Sequence, residues 1–77
     1  NKSEIYYSDN ALHLILATNS EVRAEVISVD ERILQSTELM CNAGYNMVQL
    51  TYLPKGVYLY RLKINDHYVS GRFVKYE

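Results

Sequence analysis

Enzymatic chemistry needs nucleophiles, proton carriers or metal ligands within reach of one another, and this chain offers few of them. His13 and His67 are the only imidazoles. Each falls in or beside an alternating strand pattern, where a half-exposed surface histidine is the ordinary outcome. Two histidines without a neighbouring carboxylate pair or cysteine make no recognisable metal site. Cys41 is the single cysteine, so an intramolecular disulfide is impossible and no C-x-x-C or zinc-ligand cluster is present. Within its apolar run it reads as a small buried hydrophobe. Ser8, Asp9 and Asn10 spell one element of the β-lactamase motif set, but no S-x-x-K accompanies them and no G-x-S-x-G elbow occurs. Three glycines are too few for a glycine-rich phosphate loop. These residues argue against an enzyme and call for no cofactor and no metal.

Aromatic residues are the more distinctive signal. The chain has eight tyrosines, one phenylalanine and no tryptophan. Tyrosine suits half-buried strands, with its ring on the core and its hydroxyl in water. Tyr6, Tyr7, Tyr45 and Tyr68 could together stack sugar rings; the competing reading is that they cover the ends and edges of a small core. The lack of tryptophan and of a carboxylate cluster favours the second. Eight basic and nine acidic residues are mixed along the chain, for a net charge of -1. No basic stripe is available to release counterions from nucleic acid, which excludes that class of partner.

Behind these side chains, alternation dominates. In "ALHLIL" Leu12, Leu14 and Leu16 share one face, with His13 and Ile15 on the other. In "VRAEVISV" Val22, Ala24 and Val26 oppose Arg23 and Glu25, the pattern of an antiparallel strand with one wet face. "ILQSTELM" is extended, because its β-branched, Ser and Thr content weakens a helix over Glu31 to Met40. "YNMVQLTYL" places Val48 and Leu50 inward. "VYLYRLKI" places Tyr58, Tyr60, Leu62 and Ile64 on one face and Val57, Leu59, Arg61 and Lys63 on the other. Turns fall at Asn19-Ser20, at Asp30 to Arg32, at "CNAG" with Gly44 free for positive φ, at "LPKG", and at Asn65-Asp66, a two-residue hairpin loop. Gly71 suggests a bulge or a close approach. Six or seven short strands in 77 residues predict one β-sandwich domain. Its inward set is Leu12, Leu14, Leu16, Val26, Val48, Leu50, Tyr58, Tyr60 and Leu62.

No apolar run reaches the ~18 residues that span a bilayer, and "NKSEIYYSDN" has no apolar signal-peptide region. The segment is expected to be cut from a larger protein, with any export signal upstream.

The stretch "LPKGVYLYRL", a short polar turn, then "GRFVK" resembles the C-terminal sorting domain of proteins exported by the type IX secretion system of gram-negative bacteria. That family shares an L-x-x-G-[IV]-Y-x-x-[RK]-[ILV] strand, a turn, and a last strand with a basic and apolar ending. Leu53, Gly56, Val57, Tyr58, Arg61 and Leu62 match the first part. Gly71, Arg72, Phe73, Val74 and Lys75 match the second. "AEVISVDERIL" is similar to the central strand and turn, so the likeness runs from about Leu12 to Glu77. Two positions differ: "YYSDNA" stands where the family opens with Pro-Asn-Pro, and Glu31 stands where it carries glycine before the basic residue.

The resemblance implies an immunoglobulin-like antiparallel β-sandwich of about seven strands, residues 1–77 forming a single C-terminal sorting domain. It implies recognition by the type IX secretion machinery at the outer membrane. Cargo would pass through the periplasm and end on the outer membrane, on the cell surface or in the medium. A sortase often removes such a domain and attaches the cargo to lipopolysaccharide, and some members keep it. Within the strand-pair reading, Gly56 and Tyr58 set the entry to the terminal hairpin. Arg72, Lys75 and the terminal carboxylate form its charged readout, and an exposed terminal edge serves strand addition or pairing into a homodimer. The alternatives are a carbohydrate-binding or adhesin-type module and a purely structural C-terminal domain of a cell-surface protein.

Overall fold

The computed structural model describes residues 3–76. Seven strands account for most of them: β1 (Glu4–Ser8), β2 (Ala11–Leu16), β3 (Ser20–Ser28), β4 (Ile33–Cys41), β5 (Gly44–Gln49), β6 (Gly56–Ile64) and β7 (His67–Lys75). They form a three-stranded sheet in the order β1-β2-β5 and a four-stranded sheet in the order β4-β3-β6-β7. All pairings are antiparallel. Three hairpins stay within a sheet, and the connections β2–β3, β4–β5 and β5–β6 cross between sheets. This is the antiparallel β-sandwich expected from the alternation, in the immunoglobulin-like form that the resemblance implies. The segment Glu31 to Met40 contains strand and no helix.

The turn chemistry explains where strands end. Asp9 and Asn10 both take positive φ, 56° and 60°, the requirement of a two-residue type I′ loop, and Ser8 pairs with Ala11 across it. Asn65 sits at φ 53° in the second two-residue loop, between the paired Ile64 and His67. Glu31 takes φ 69° in the β3–β4 turn. The turn is held by Ser28, whose backbone exchanges hydrogen bonds with Glu31 and Arg32 and whose hydroxyl donates to Asp30. That hydroxyl, with the Arg32 guanidinium beside it, holds the Asp30 carboxyl below the usual carboxylate range.

The core lies between the sheets. Leu12, Leu14, Leu16 and Val48 come from one side, and Val22, Ala24, Val26, Leu62, Ile64 and Phe73 from the other. Leu50 and Leu53 close the end beneath the β5–β6 connection. Eight of the nine residues expected inside are buried, and the ninth, Tyr60, is half-buried and packs against them. Tyr60 leans across its cross-strand partner Gly71, where a Cβ would clash with the phenol oxygen. Pairing through Gly71 is unbroken, so this glycine makes room for a ring and is no bulge. The irregularity falls in the β3–β4 pair instead: Val26 pairs with Gln35 but Ile27 with Ile33, leaving Leu34 as the extra residue. Cys41 is buried as expected, and burial pushes its thiol pKa up.

Candidate recognition surface on the terminal hairpin

The start of the hairpin is built by Tyr58. Its hydroxyl donates to the carbonyl of Pro54, four residues upstream, while its ring is buried and stacks on Phe73 at 5.6 Å. A tyrosine near the start of the sixth strand that reaches back to the backbone of the preceding corner is the tyrosine corner of immunoglobulin-like sandwiches. Gly56 supplies the unusual φ of 153° inside that corner, and Leu53 anchors it in the core. Leu53, Gly56 and Tyr58 are thus accounted for by folding alone. The sequence reading did not recognise the corner, although its L-x-x-G-x-Y spacing was visible.

Residues of β6 and β7 then divide by pleat. Phe73 points into the core and stacks on Tyr7 from β1, with ring centroids 4.2 Å apart. Lys75 shares that inward face, which corrects its place in the charged readout. It is only 9% exposed, its Nζ lies 3.3 Å from Asn10 Oδ1, and it sits 4.9 Å over the Tyr52 ring. The alternation puts it there: Lys75 is two residues from Phe73 and must share its side of the sheet. The terminal carboxylate lies outside the described residues.

Val57, Arg61, Arg72 and Val74 do face outward. Their cross-strand neighbours complete rows across the four-stranded sheet. One row reads Ile33, Ile27, Leu59, Arg72 from β4 to β7, and the next pairs Val57 with Val74; Val29, just past the end of β3, is exposed. The two rows nearer the β6–β7 loop are polar: Ser36, Glu25, Arg61, Ser70 and then Glu38, Arg23, Lys63, Tyr68. One outer face is therefore aliphatic at one end and charged at the other.

Most of that charge is internally matched. Arg61 Nη2 and Nε both donate to Glu25 Oε1, at 2.7 and 3.0 Å, and the guanidinium covers the carboxylate so fully that Glu25 is buried on what was expected to be a wet face. Arg23 lies 3.7 Å from Glu38. Arg61 is thus committed within the sheet, whereas Arg72 has no ion-pair partner among the described residues and borders the aliphatic end. The sequence places Leu59 on the outward face of β6, but nothing in it marks Ile27, Val29 and Ile33 as its surface neighbours. The signal of the patch is the aliphatic first half of the outward set of β6, Val57 and Leu59 before Arg61 and Lys63.

Among the described residues, the β7 edge of this hairpin is open. β1 hydrogen-bonds to β2 and not to β7. The β6–β7 pairing runs without register shift from Gly56 with Lys75 to Ile64 with His67. Among the described residues, no side chain or loop hydrogen-bonds to the β7 backbone from outside the sheet. Nor do three or more His, Cys, Asp or Glu side chains converge on a metal-sized site among those residues. Comparison with protein-family models, curated proteins and solved structures finds no match to this chain.

Proposed function

We propose that this domain is a non-catalytic C-terminal sorting module, read by type IX secretion machinery at the outer membrane through its terminal hairpin. The observation that carries the reading is the coincidence of a regular open edge on β7 with an aliphatic outer patch ending in Arg72. An added strand gains backbone hydrogen bonds along an edge and specificity from alternate side chains. Val57, Val74 and Arg72 supply those side chains, while Leu53, Gly56, Tyr58, Gly71, Phe73 and Lys75 build the hairpin that presents them. The left-handed backbone at Glu31 supports the resemblance, because it is the conformation that a glycine at this position would favour. Attached cargo would cross the periplasm and reach the outer membrane, cell surface or medium, where a sortase could act on the junction.

Fusing residues 1–77 behind a periplasmic reporter in a host with type IX machinery tests the reading. Reporter at the cell surface or in the medium is the expected result. Reporter retained in the periplasm, with the domain folded, would refute the sorting role and favour the purely structural alternative.

A further inference from the structure

The outer face of the three-stranded sheet has a different character and is independent of the sorting reading. Its cross-strand rows are Glu4, Ile15, Tyr45; then Tyr6, His13, Met47; then Ser8, Ala11, Gln49. Tyr6 stacks on His13 at 4.7 Å with planes 14° apart, and the His13 and Tyr45 ring centroids lie 5.7 Å apart at 29°. Tyr6 lies over the imidazole, whereas Tyr45 reaches its edge through the hydroxyl and leaves its own ring largely exposed.

Hydrogen bonds fix the ladder. His13 Nε2 lies 2.9 Å from the Ser8 carbonyl, which can only accept, so Nε2 carries the proton. In the neutral ring Nδ1 then accepts from the Tyr45 hydroxyl at 2.6 Å. The stack is therefore held in place before any ligand arrives, and pre-organisation lowers the cost of binding. Tyr45, Met47 and Tyr6 remain 59%, 48% and 46% exposed.

Size and charge identify the occupant. Three strands about 4.8 Å apart and some six residues long present roughly 300 Å², well short of the ~800 Å² per partner of a stable protein interface. Glu4 is the only charged residue in these rows, so an anionic ligand finds no counter-charge and meets a carboxylate instead. The hydroxyls of Ser8 and Tyr6, with no protein partner among the described residues, border the rings. Apolar ring faces beside neutral hydroxyls match the C–H face and hydroxyl rim of a sugar. We propose that this face binds a neutral pyranose oligosaccharide, with one sugar ring against the exposed ring of Tyr45.

Of the four tyrosines considered from sequence, only Tyr6 and Tyr45 take part. Tyr7 is consumed by Phe73, and Tyr68 lies on the opposite outer face beside Lys63.

The experiment is a two-dimensional NMR titration of the 77-residue chain with cellohexaose, maltohexaose and chitohexaose, alongside phosphatidylcholine vesicles. Saturable shifts at Tyr6, His13, Tyr45 and Met47 with at least one sugar, and none at Arg72 or Val74, are expected. Tyr45→Ala should weaken that binding about tenfold, as loss of an aromatic stack does, while Tyr45→Phe keeps most of it. Shifts with no sugar at ~10 mM, tenfold above the ~1 mM level of a weak complex, would overturn the proposal. So would sugar binding that survives Tyr45→Ala, or shifts produced by vesicles alone.

Discussion

The two outer faces of this sandwich cover one core yet differ in kind. The three-stranded sheet presents stacked rings and a single carboxylate, whereas the four-stranded sheet presents an aliphatic end and a charged end. Strand count explains part of the difference. In the three-stranded sheet only β2 has neighbours on both sides, so its outward His13 is flanked by residues of edge strands, with Tyr6 stacked on its ring and Tyr45 bonded to its edge. In the four-stranded sheet β3 and β6 are both interior. Their outward positions are sheltered enough to hold Ile27, Leu59 and even the buried carboxylate of Glu25. Charge on a small surface is therefore a poor guide to recognition by itself. Arg61 and Arg23 answer acids in their own sheet, and what remains outside those pairs is Arg72, Lys63, the aliphatic patch and the β7 edge.

If the faces share one core, damage to it should reach both. Leu62, fully buried, is the strictest probe. Leu62→Ala is expected to cost about 2–5 kcal/mol in chemical denaturation and to shift amide resonances at both Tyr45 and Val74. A parent-like midpoint would show that the inward face of β6 is misassigned.

The next largest effects separate the interior strands from the edges. Removing Arg61 by Arg61→Ala exposes Glu25 without its partner, and a half-exposed guanidinium of this kind should be worth about 1–2 kcal/mol. Gly71→Val forces the Tyr60 ring aside and should cost about 1–3 kcal/mol. A double-mutant cycle with Tyr60→Ala should recover part of that cost. Strict additivity would mean that the ring does not rest on the glycine. Tyr58→Phe removes only the corner hydrogen bond and should cost about 1 kcal/mol, with no change in either outer face.

The smallest expected effect is electrostatic and lies in the β3–β4 turn at the rim of the aliphatic patch. The Asp30 carboxyl is held below its usual range in the folded chain, so its contribution is present above the unfolded value and is lost as pH falls through the folded one. Wild type and Asp30→Asn should differ slightly in melting temperature at neutral pH and converge in strong acid. A gap that widens with falling pH would contradict the Ser28–Asp30 contact.

Much of this architecture was legible in the sequence because period-two alternation settles which side chains face inward. The leucines of β2, the β6 set and the Asn65-Asp66 hairpin all follow from it. The charge of Lys75 suggests an outward place, but its parity with Phe73 puts it on the inner face. Glu25 was read as solvated because a single strand cannot reveal that Arg61 of another strand will cover it. The ring ladder needed the β1–β2–β5 register, which pairs Tyr6 with His13 and Ile15 with Tyr45, a long-range fact that no local pattern contains. The tyrosine corner is written in the spacing of Leu53, Gly56 and Tyr58.

The most direct test of the central claim compares the two faces in the same export assay. Val57→Ser, Arg72→Ala and Val74→Ser alter only outward positions of the terminal hairpin, and surface changes of this kind usually move stability by less than about 0.5 kcal/mol each. Tyr6→Ser with Tyr45→Ser makes a comparable alteration on the opposite face. Each combined variant is fused to the reporter after its fold is verified by circular dichroism and thermal melting. The account predicts that the hairpin variant stays in the periplasm while the tyrosine variant is exported like wild type. Export of the folded hairpin variant at the wild-type level would contradict it.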